Sequence, residues 1–254
     1  MSGVNPDFTY RLLVDAGLRQ GMRILDVGCG FGDVTYLAAA LAGEAGSVVG
    51  VDRDDDALVR ARQRIAPHGV PRPVFTQGDI HSLPDALGSF DAIVGRRVLM
   101  YQPDTVQAVR ALAERLRPGG VIVFQEHDNT MVPASLLPFP LHAQAQNWLR
   151  GMIEREGADL HIGFNLHGVL TRAGLTVESV RAESVVQTPT AAYGLGGIVR
   201  ACLPRIIAHE VATAEEVGID TLQERLDVER AGTDAIYIGD MMFGAWARKY
   251  AKIA

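Results

Sequence analysis

The sequence predicts an α/β fold built on a mostly parallel sheet, and three observations carry that prediction. Short apolar runs alternate with helical patterns through the first half of the 254-residue chain. The first run, Ile24 to Val27, passes directly into a turn with glycine at every second position, Gly28, Gly30 and Gly32. The second, Val48 to Val51, is apolar throughout, as a strand covered on both faces must be, and it ends in a carboxylate, Asp52.

The glycine turn sets the chemistry. Glycine removes Cβ where the backbone must turn tightly and let a flat ligand lie against it, and a helical run follows from Val34, which is the shape of a nucleotide-type cofactor site. A dinucleotide turn reads G-x-G-x-x-G and cradles a pyrophosphate on a helix N-terminus. Here the turn reads G-x-G-x-G with an acid, Asp26, two residues ahead, so the expected ligand carries a cation rather than phosphates. Asp26-Val27-Gly28-Cys29-Gly30-Phe31-Gly32 resembles the first motif of the class I S-adenosylmethionine-dependent methyltransferases of the small-molecule type. The resemblance covers roughly Gly21 to Asp128. It implies a Rossmann-like fold, a seven-stranded, mostly parallel sheet with helices on both faces and an antiparallel last strand, and S-adenosyl-L-methionine as cofactor.

Composition bounds the alternatives. With 48% hydrophobic residues the chain can bury a full core as one large domain or as a core domain with a modest cap. Net charge is −6 and the basic residues are scattered, which gives no footprint for a nucleic-acid backbone. Cys29 and Cys202 stand alone, so neither a disulfide framework nor a metal site is expected, in keeping with a reducing cytoplasm. The N-terminal residues lack a signal-peptide pattern and no segment approaches a membrane span, so a soluble, cytoplasmic protein is expected.

Taken in order, Asn5-Pro6 reads as a helix start, with Phe8, Leu12, Leu13 and Ala16 on one face and Gly17 as the stop. By the resemblance this helix is a lid over the cofactor, with Phe8 and Tyr10 toward the pocket; the other reading is cover for the sheet edge. Asp52 lies twenty residues after Gly32, where a carboxylate can accept from both ribose hydroxyls, or else cap the next helix, a task Asp54 to Asp56 could also perform. Arg53 is grouped with it. Val74 and Phe75 mark a third strand. By the resemblance, Asp79 then accepts from the exocyclic amine of adenine and the Ile80 amide donates to the ring; the alternative is an Asp that stabilises a turn.

Phe90 to Gly95 reads as the fourth strand, followed by the stretch Arg96 to Tyr101 that in this family closes on the sulfonium. Arg96 or Arg97 is expected to bind an anionic substrate group or the methionine carboxylate, or to form a surface ion pair. Asp104 is expected to cap a helix with Val109, Leu112 and Leu116 on its apolar face, stopped by Arg117-Pro118-Gly119-Gly120. The fifth strand, Val121 to Phe124, ends in Gln125-Glu126-His127-Asp128, at the edge where open α/β sheets place their chemistry. His127 is the candidate general base, since its ordinary pKa suits proton removal at neutral pH, with Glu126 beside it; Glu126 or Asp128 could instead cap the next helix.

Beyond Asp128 the sequence predicts a helix after the prolines 133, 138 and 140, a second from Gly163 to Ala173, a sixth strand from Leu175 to Val186 and a seventh from Ala235. Nearly fifty residues separate these last two strands, with one helix from Leu195 to His209, a hinge at Tyr193, Gly194, Gly196 and Gly197, and a capping-box start at Thr213 to Glu216. This insert is expected either to cap the pocket or to dimerise. Tyr10, Tyr101, Trp148, Phe164 and His167 are the candidate substrate residues. The expected organisation is a single domain, 1–130 forming the cofactor core, 131–234 the substrate-cap helices and sixth strand, and 235–254 the last strand.

The resulting expectation is transfer of a methyl group to O, N or C of a small metabolite or natural product, by a monomer or homodimer, without metal. Two other readings remain open: a cofactor-binding protein or non-methylating catalyst on the same fold, and an NAD-dependent oxidoreductase, which should place its third glycine one position later and carry a catalytic Tyr/Lys pair.

Overall fold

A computed structural model describes residues 7–66, 68–131 and 133–250. The helix start read at Asn5-Pro6 lies outside the described residues. By contact the chain divides into two compact units. One comprises Met1–Glu126, Ile162–Arg181 and Phe243–Ala254; the other comprises His127–His161 and Ala182–Met242.

In the first unit, α1 (Phe8–Asp15) buries Phe8, Leu12 and Leu13 as its periodicity requires, and Gly17 leaves it at φ +89°. The strands β1 (Arg23–Val27), β2 (Ser47–Asp52), β3 (Val74–Gln77) and β4 (Phe90–Arg96) are parallel, with α2 (Asp33–Ala42) and α3 (Asp55–Gln63) in the first two crossovers. Asp54 caps α3, its carboxylate accepting the Ala57 amide at 3.2 Å. Asp104 caps α4 (Thr105–Glu114) in the same way through Gln107, at 2.8 Å.

The sheet order is β3-β2-β1-β4-β5-β7-β6. From β1 the chain winds outward to β3, then returns to lay β4 on the other side of β1. The crevice between the carboxyl ends of β1 and β4 is therefore the switch point at which such sheets bind ligands. Right-handed crossovers in opposite directions put α4 on the opposite face from α2 and α3.

The end of α4 differs from expectation. The helix closes at Glu114, and Leu116, read as helical, opens β5 (Leu116–Asp128) because it pairs with Phe90 of β4. The Phe90 amide reaches the Arg115 carbonyl at 2.8 Å, and Pro118 falls where the register shifts between Phe90 and Ala92. Arg117 to Gly120 thus begin the strand rather than merely stopping the helix. In β7 (Tyr237–Arg248) the following residue, Lys249, exchanges hydrogen bonds with Gly119 and Gly120 at the start of β5, so β7 runs antiparallel. α6 (Ile162–Arg172) ends before Gly174 and leads into the edge strand β6 (Thr176–Gln187).

The second unit is mainly helical. α5 (Pro140–Arg155), α7 (Leu195–Ala208) and α9 (Ile219–Ala231) share a core of Ala145, Trp148, Leu149, Met152, Leu195, Val199, Ile206, Leu222 and Leu226. The capping box at Thr213 and Glu216 is present, but it opens only the one-turn α8 (Ala214–Val217), because Gly218 adopts φ +54° and restarts the chain as α9. Gly196 is a close contact: a Cβ there would lie 2.8 Å from Gln223 Oε1 on α9. Among the described residues no helix is long and apolar enough to cross a membrane.

Candidate active site

The glycine turn at the end of β1 lies in the first unit, and its three glycines have different reasons. Gly28, Gly30 and Gly32 take φ of +63°, +50° and +83°, the left-handed region where Cβ is costly. A Cβ on Gly28 would stand 2.6 Å from Val98 Cγ2, and one on Gly32 would stand 3.0 Å from Phe75 Cζ. A Cβ on Gly30 would meet nothing within 4 Å. Two glycines therefore serve internal packing, and Gly30 leaves an open surface.

Asp52 is built into this turn. Its Oδ2 accepts the Gly30 amide at 2.7 Å and its Oδ1 accepts the Asp54 amide at 3.0 Å. Each carboxylate oxygen has two lone pairs, so each keeps one for a further donor. Asp54 performs the helix-capping task, so Asp52 is not the cap of α3.

Asp26, Gly28, Cys29, Gly30, Asp33, Arg96 and Arg97 line the crevice at the switch point, a cavity of about 200 Å³. Asp26 is 1% exposed and accepts the Thr35 hydroxyl at 2.6 Å. Burial raises its pKa to about 7, against the lowering effects of the Thr35 hydrogen bond and the Arg96 charge. Arg96 stands 3.4 Å from Asp33 and 3.5 Å from the Thr9 hydroxyl, which itself donates to Gln125 at 2.7 Å.

Asp79 lies at the end of β3, with Oδ1 accepting the His81 amide at 2.8 Å and Oδ2 3.9 Å from exposed Arg53. The Ile80 side chain is buried. Asp79 thus closes a turn while keeping an oxygen toward solvent, and both sequence readings of it are compatible with that placement.

Glu126 and His127, neighbours in sequence, have different surroundings. Glu126 is fully buried in the first unit, its Oε1 accepting the amides of Val98 at 3.0 Å and Leu99 at 2.8 Å. Burial raises its pKa to about 7 despite these two bonds. Arg97, beside that contact, is one of two non-glycine residues at positive φ among the described residues, at +57°. His127 belongs to the second unit and is buried, with Nδ1 3.7 Å from Asp240 Oδ2. Asp128 Oδ1 accepts the Thr130 amide at 2.9 Å, closing a turn. Neither carboxylate caps α5, whose first amides are taken instead by Glu229 of α9.

The candidate substrate residues are dispersed. Trp148 is 6% exposed within the helical core of the second unit, where it packs against aliphatic side chains and is a core residue. Phe164 is 59% exposed on α6 and its ring lies 4.9 Å from that of Phe243. His167 is exposed on the same helix, Tyr10 is exposed on α1, and Tyr101 is half-buried in the turn Leu99–Tyr101. None of the five lines the crevice at the glycine turn. Arg97, offered with Arg96 as an anion-binding residue, lines it too, as do Cys29, Phe31 and Asp33, which were given no role although the first two lie in the glycine motif and the third follows it directly.

With this geometry in place, residues 18–173 match the family described as a methyltransferase domain. The chain belongs to this family, the class I S-adenosylmethionine-dependent methyltransferases. Among curated proteins it is 35% identical over 137 residues to an arsenite methyltransferase of Aquipseudomonas alcaligenes, covering 50% of this chain and 40% of that protein. It is 32% identical over 123 residues to a demethylmenaquinone methyltransferase of Staphylococcus aureus, covering 48% and 50%. The matched region thus spans at most half the length of these two relatives. Among solved structures it resembles phosphoethanolamine N-methyltransferase 2 of Haemonchus contortus in complex with S-adenosyl-L-methionine, with TM-score 0.58 at 17% identity over 96% of this chain and 52% of that one.

Proposed function

We propose that this chain transfers the methyl group of S-adenosylmethionine to a small-molecule acceptor. The observation that carries this reading is the joining of Asp52 to the Gly30 amide beside an open glycine face, which places an acceptor with spare lone pairs at the rim of a flat cradle. When bound, the cofactor supplies an electrophilic methyl carbon on a sulfonium. Asp52 would hold the ribose, Asp79 and the Ile80 amide the adenine, and Arg96 the methionine carboxylate, with Gly28, Gly30 and Gly32 giving the backbone its close approach. Asp26 sets a negative field under the turn when ionised. The named complex with S-adenosyl-L-methionine on the same fold supports the choice of cofactor.

Alignment of acceptor and methyl carbon alone can lower a barrier by roughly 7–11 kcal/mol, so no metal or nucleophilic triad is required. His127, with Nδ1 3.7 Å from Asp240 Oδ2, is the group we assign to proton removal from a phenol or carbon acid. The acidic net charge and the family's small-molecule resemblance favour a metabolite or natural product over nucleic acid, and two free cysteines suit a reducing cytoplasm.

The test is calorimetric titration with S-adenosylhomocysteine and, in parallel, NADH, followed by mass spectrometry of phenol, amine and heterocycle acceptors incubated with S-adenosylmethionine. Binding of S-adenosylhomocysteine and gain of one methyl group by an acceptor are the expected results. Binding of NADH alone would overturn the reading.

A further inference from the structure

Two locally unfavourable choices meet in the first unit, at the wall of the crevice. Arg97 lines that crevice with its backbone at φ +57°, a left-handed conformation that is costly for a residue with a Cβ and persists only where neighbours enforce it. Glu126 is wholly buried, and while its Oε1 takes two amides, its Oε2 is shut off from solvent and accepts no hydrogen bond among the described residues. A buried carboxyl group in that condition is destabilising by itself.

The two belong to one arrangement. The Arg97 amide donates to the Gln125 carbonyl at 2.9 Å, and the next two amides, those of Val98 and Leu99, donate to Glu126 Oε1 at 3.0 and 2.8 Å. Three successive amides of the loop are thus tied to two successive residues of β5, which is the enforcement that a left-handed arginine needs. Val98 is packed closely on its other side: a Cβ on Gly28 would stand 2.6 Å from its Cγ2, and one on Gly95 would stand 2.9 Å from its Cγ1. The position of the loop is therefore set from β5 and felt at the glycine turn. Strain of this kind is concentrated in proteins at functional sites.

From this we infer that Glu126 is a positioning residue for cofactor binding: through Val98 and Leu99 it holds Arg97 left-handed on the crevice wall and Val98 against the glycine turn. The inference deepens the function proposed above and rests on it, since the ligand of the crevice is the methyl donor in that reading.

The experiment is calorimetric titration of the full chain and its variants with S-adenosylhomocysteine, at a temperature where each keeps its helical circular dichroism. Glu126→Ala should bind about tenfold more weakly, and Glu126→Gln, which keeps an acceptor oxygen, should recover to within about threefold of the wild type. Arg97→Ala and Arg97→Gly should each bind about tenfold more weakly, yet Arg97→Gly should melt at the higher temperature of the two, because glycine is at ease at that φ. This pair keeps the test decisive should Glu126→Ala not fold. Asp91→Ala controls for general loosening: Asp91 accepts the Arg23 amide at 2.8 Å and the Arg117 guanidinium at the amino end of β4, so its loss should lower the melting temperature and leave the affinity unchanged. Wild-type affinity in folded Glu126→Ala or in either Arg97 variant, no recovery in Glu126→Gln, equal melting of the Arg97 pair, or equal weakening by Asp91→Ala would each overturn the inference and leave the methyltransferase. Failure of the wild type to bind S-adenosylhomocysteine would overturn both.

Discussion

Glu126 Oε1 accepts the backbone amide of Leu99 at 2.8 Å across 27 positions of sequence, and the Val98 amide shares the same oxygen. The bond fixes the loop after β4 from within the sheet. Val98 so held packs on Gly28, and the preceding Arg97 lines the crevice at positive φ. Glu126, named in the sequence with His127 as a catalytic candidate, is thereby placed to position this loop rather than to face solvent.

Glu126→Ala should leave two buried amides without an acceptor, at about 1–3 kcal/mol each. Glu126→Gln keeps an acceptor oxygen and should cost markedly less. Urea denaturation of both variants checks this, and equal losses would show that the two bonds do not brace the loop.

The raised pKa of Glu126 gives a signed pH dependence. Its folded pKa, about 7, lies above the ordinary 4.5, so the folded state binds the proton more tightly and this residue's contribution to stability falls as pH rises from about 4.5 to about 7, then levels off. The ionised group costs on the order of 3 kcal/mol above that window. Glu126→Gln should therefore gain on the wild type between pH 5 and pH 8 in thermal melts. Parallel curves would contradict the shift.

Gly28 and Gly30 should respond differently to alanine. Gly28→Ala drives a methyl into Val98, and overpacking together with a left-handed backbone should cost about 2–4 kcal/mol of stability. Gly30→Ala bears only the backbone cost, about 1–2 kcal/mol, yet its methyl enters the open cradle and should weaken S-adenosylhomocysteine at least about tenfold. Unimpaired binding by Gly30→Ala in calorimetry would place the ligand elsewhere.

Asp52→Ala removes the acceptor for the Gly30 and Asp54 amides along with the two assigned ribose bonds. Charge-assisted bonds of about 1.5–3 kcal/mol each predict at least about 100-fold weaker S-adenosylhomocysteine binding. An unchanged dissociation constant by calorimetry would remove Asp52 from the site.

In the second unit Glu229 accepts the amides of Leu141 and His142 at 2.9 and 3.0 Å and the His142 ring at 2.7 Å. It does for α5 what an N-cap side chain would do, since Phe139 at that position offers none. Glu229→Ala should cost about 2 kcal/mol by denaturant titration. A negligible loss would mean that water replaces the carboxylate.

Whatever depends on neighbours in sequence was legible there. The β1 strand and glycine turn, the caps at Asp54 and Asp104 and the capping box at Thr213 are local arrangements, each contained within a few residues. The end of α4 was not, because pairing of Leu116 with Phe90 decides it. The Glu126 brace and the Glu229 cap span 27 to 88 positions and leave no periodic signal. Trp148 has the spacing of a buried helix face, but spacing does not say whether that face meets a ligand or other helices. The two loops of the crevice were recognisable through their motif.

The division of the chain also limits how this protein can be rebuilt. Its path changes units four times, after Glu126, His161, Arg181 and Met242, with β5, β6 and β7 each carrying one of the crossings. No single contiguous cassette therefore carries the second unit. A chimera that exchanges the second unit must graft two segments at once and keep strand registers intact at three of the four joints. During synthesis, likewise, the cofactor half lacks its closing strand until nearly the whole of the helical half has been made.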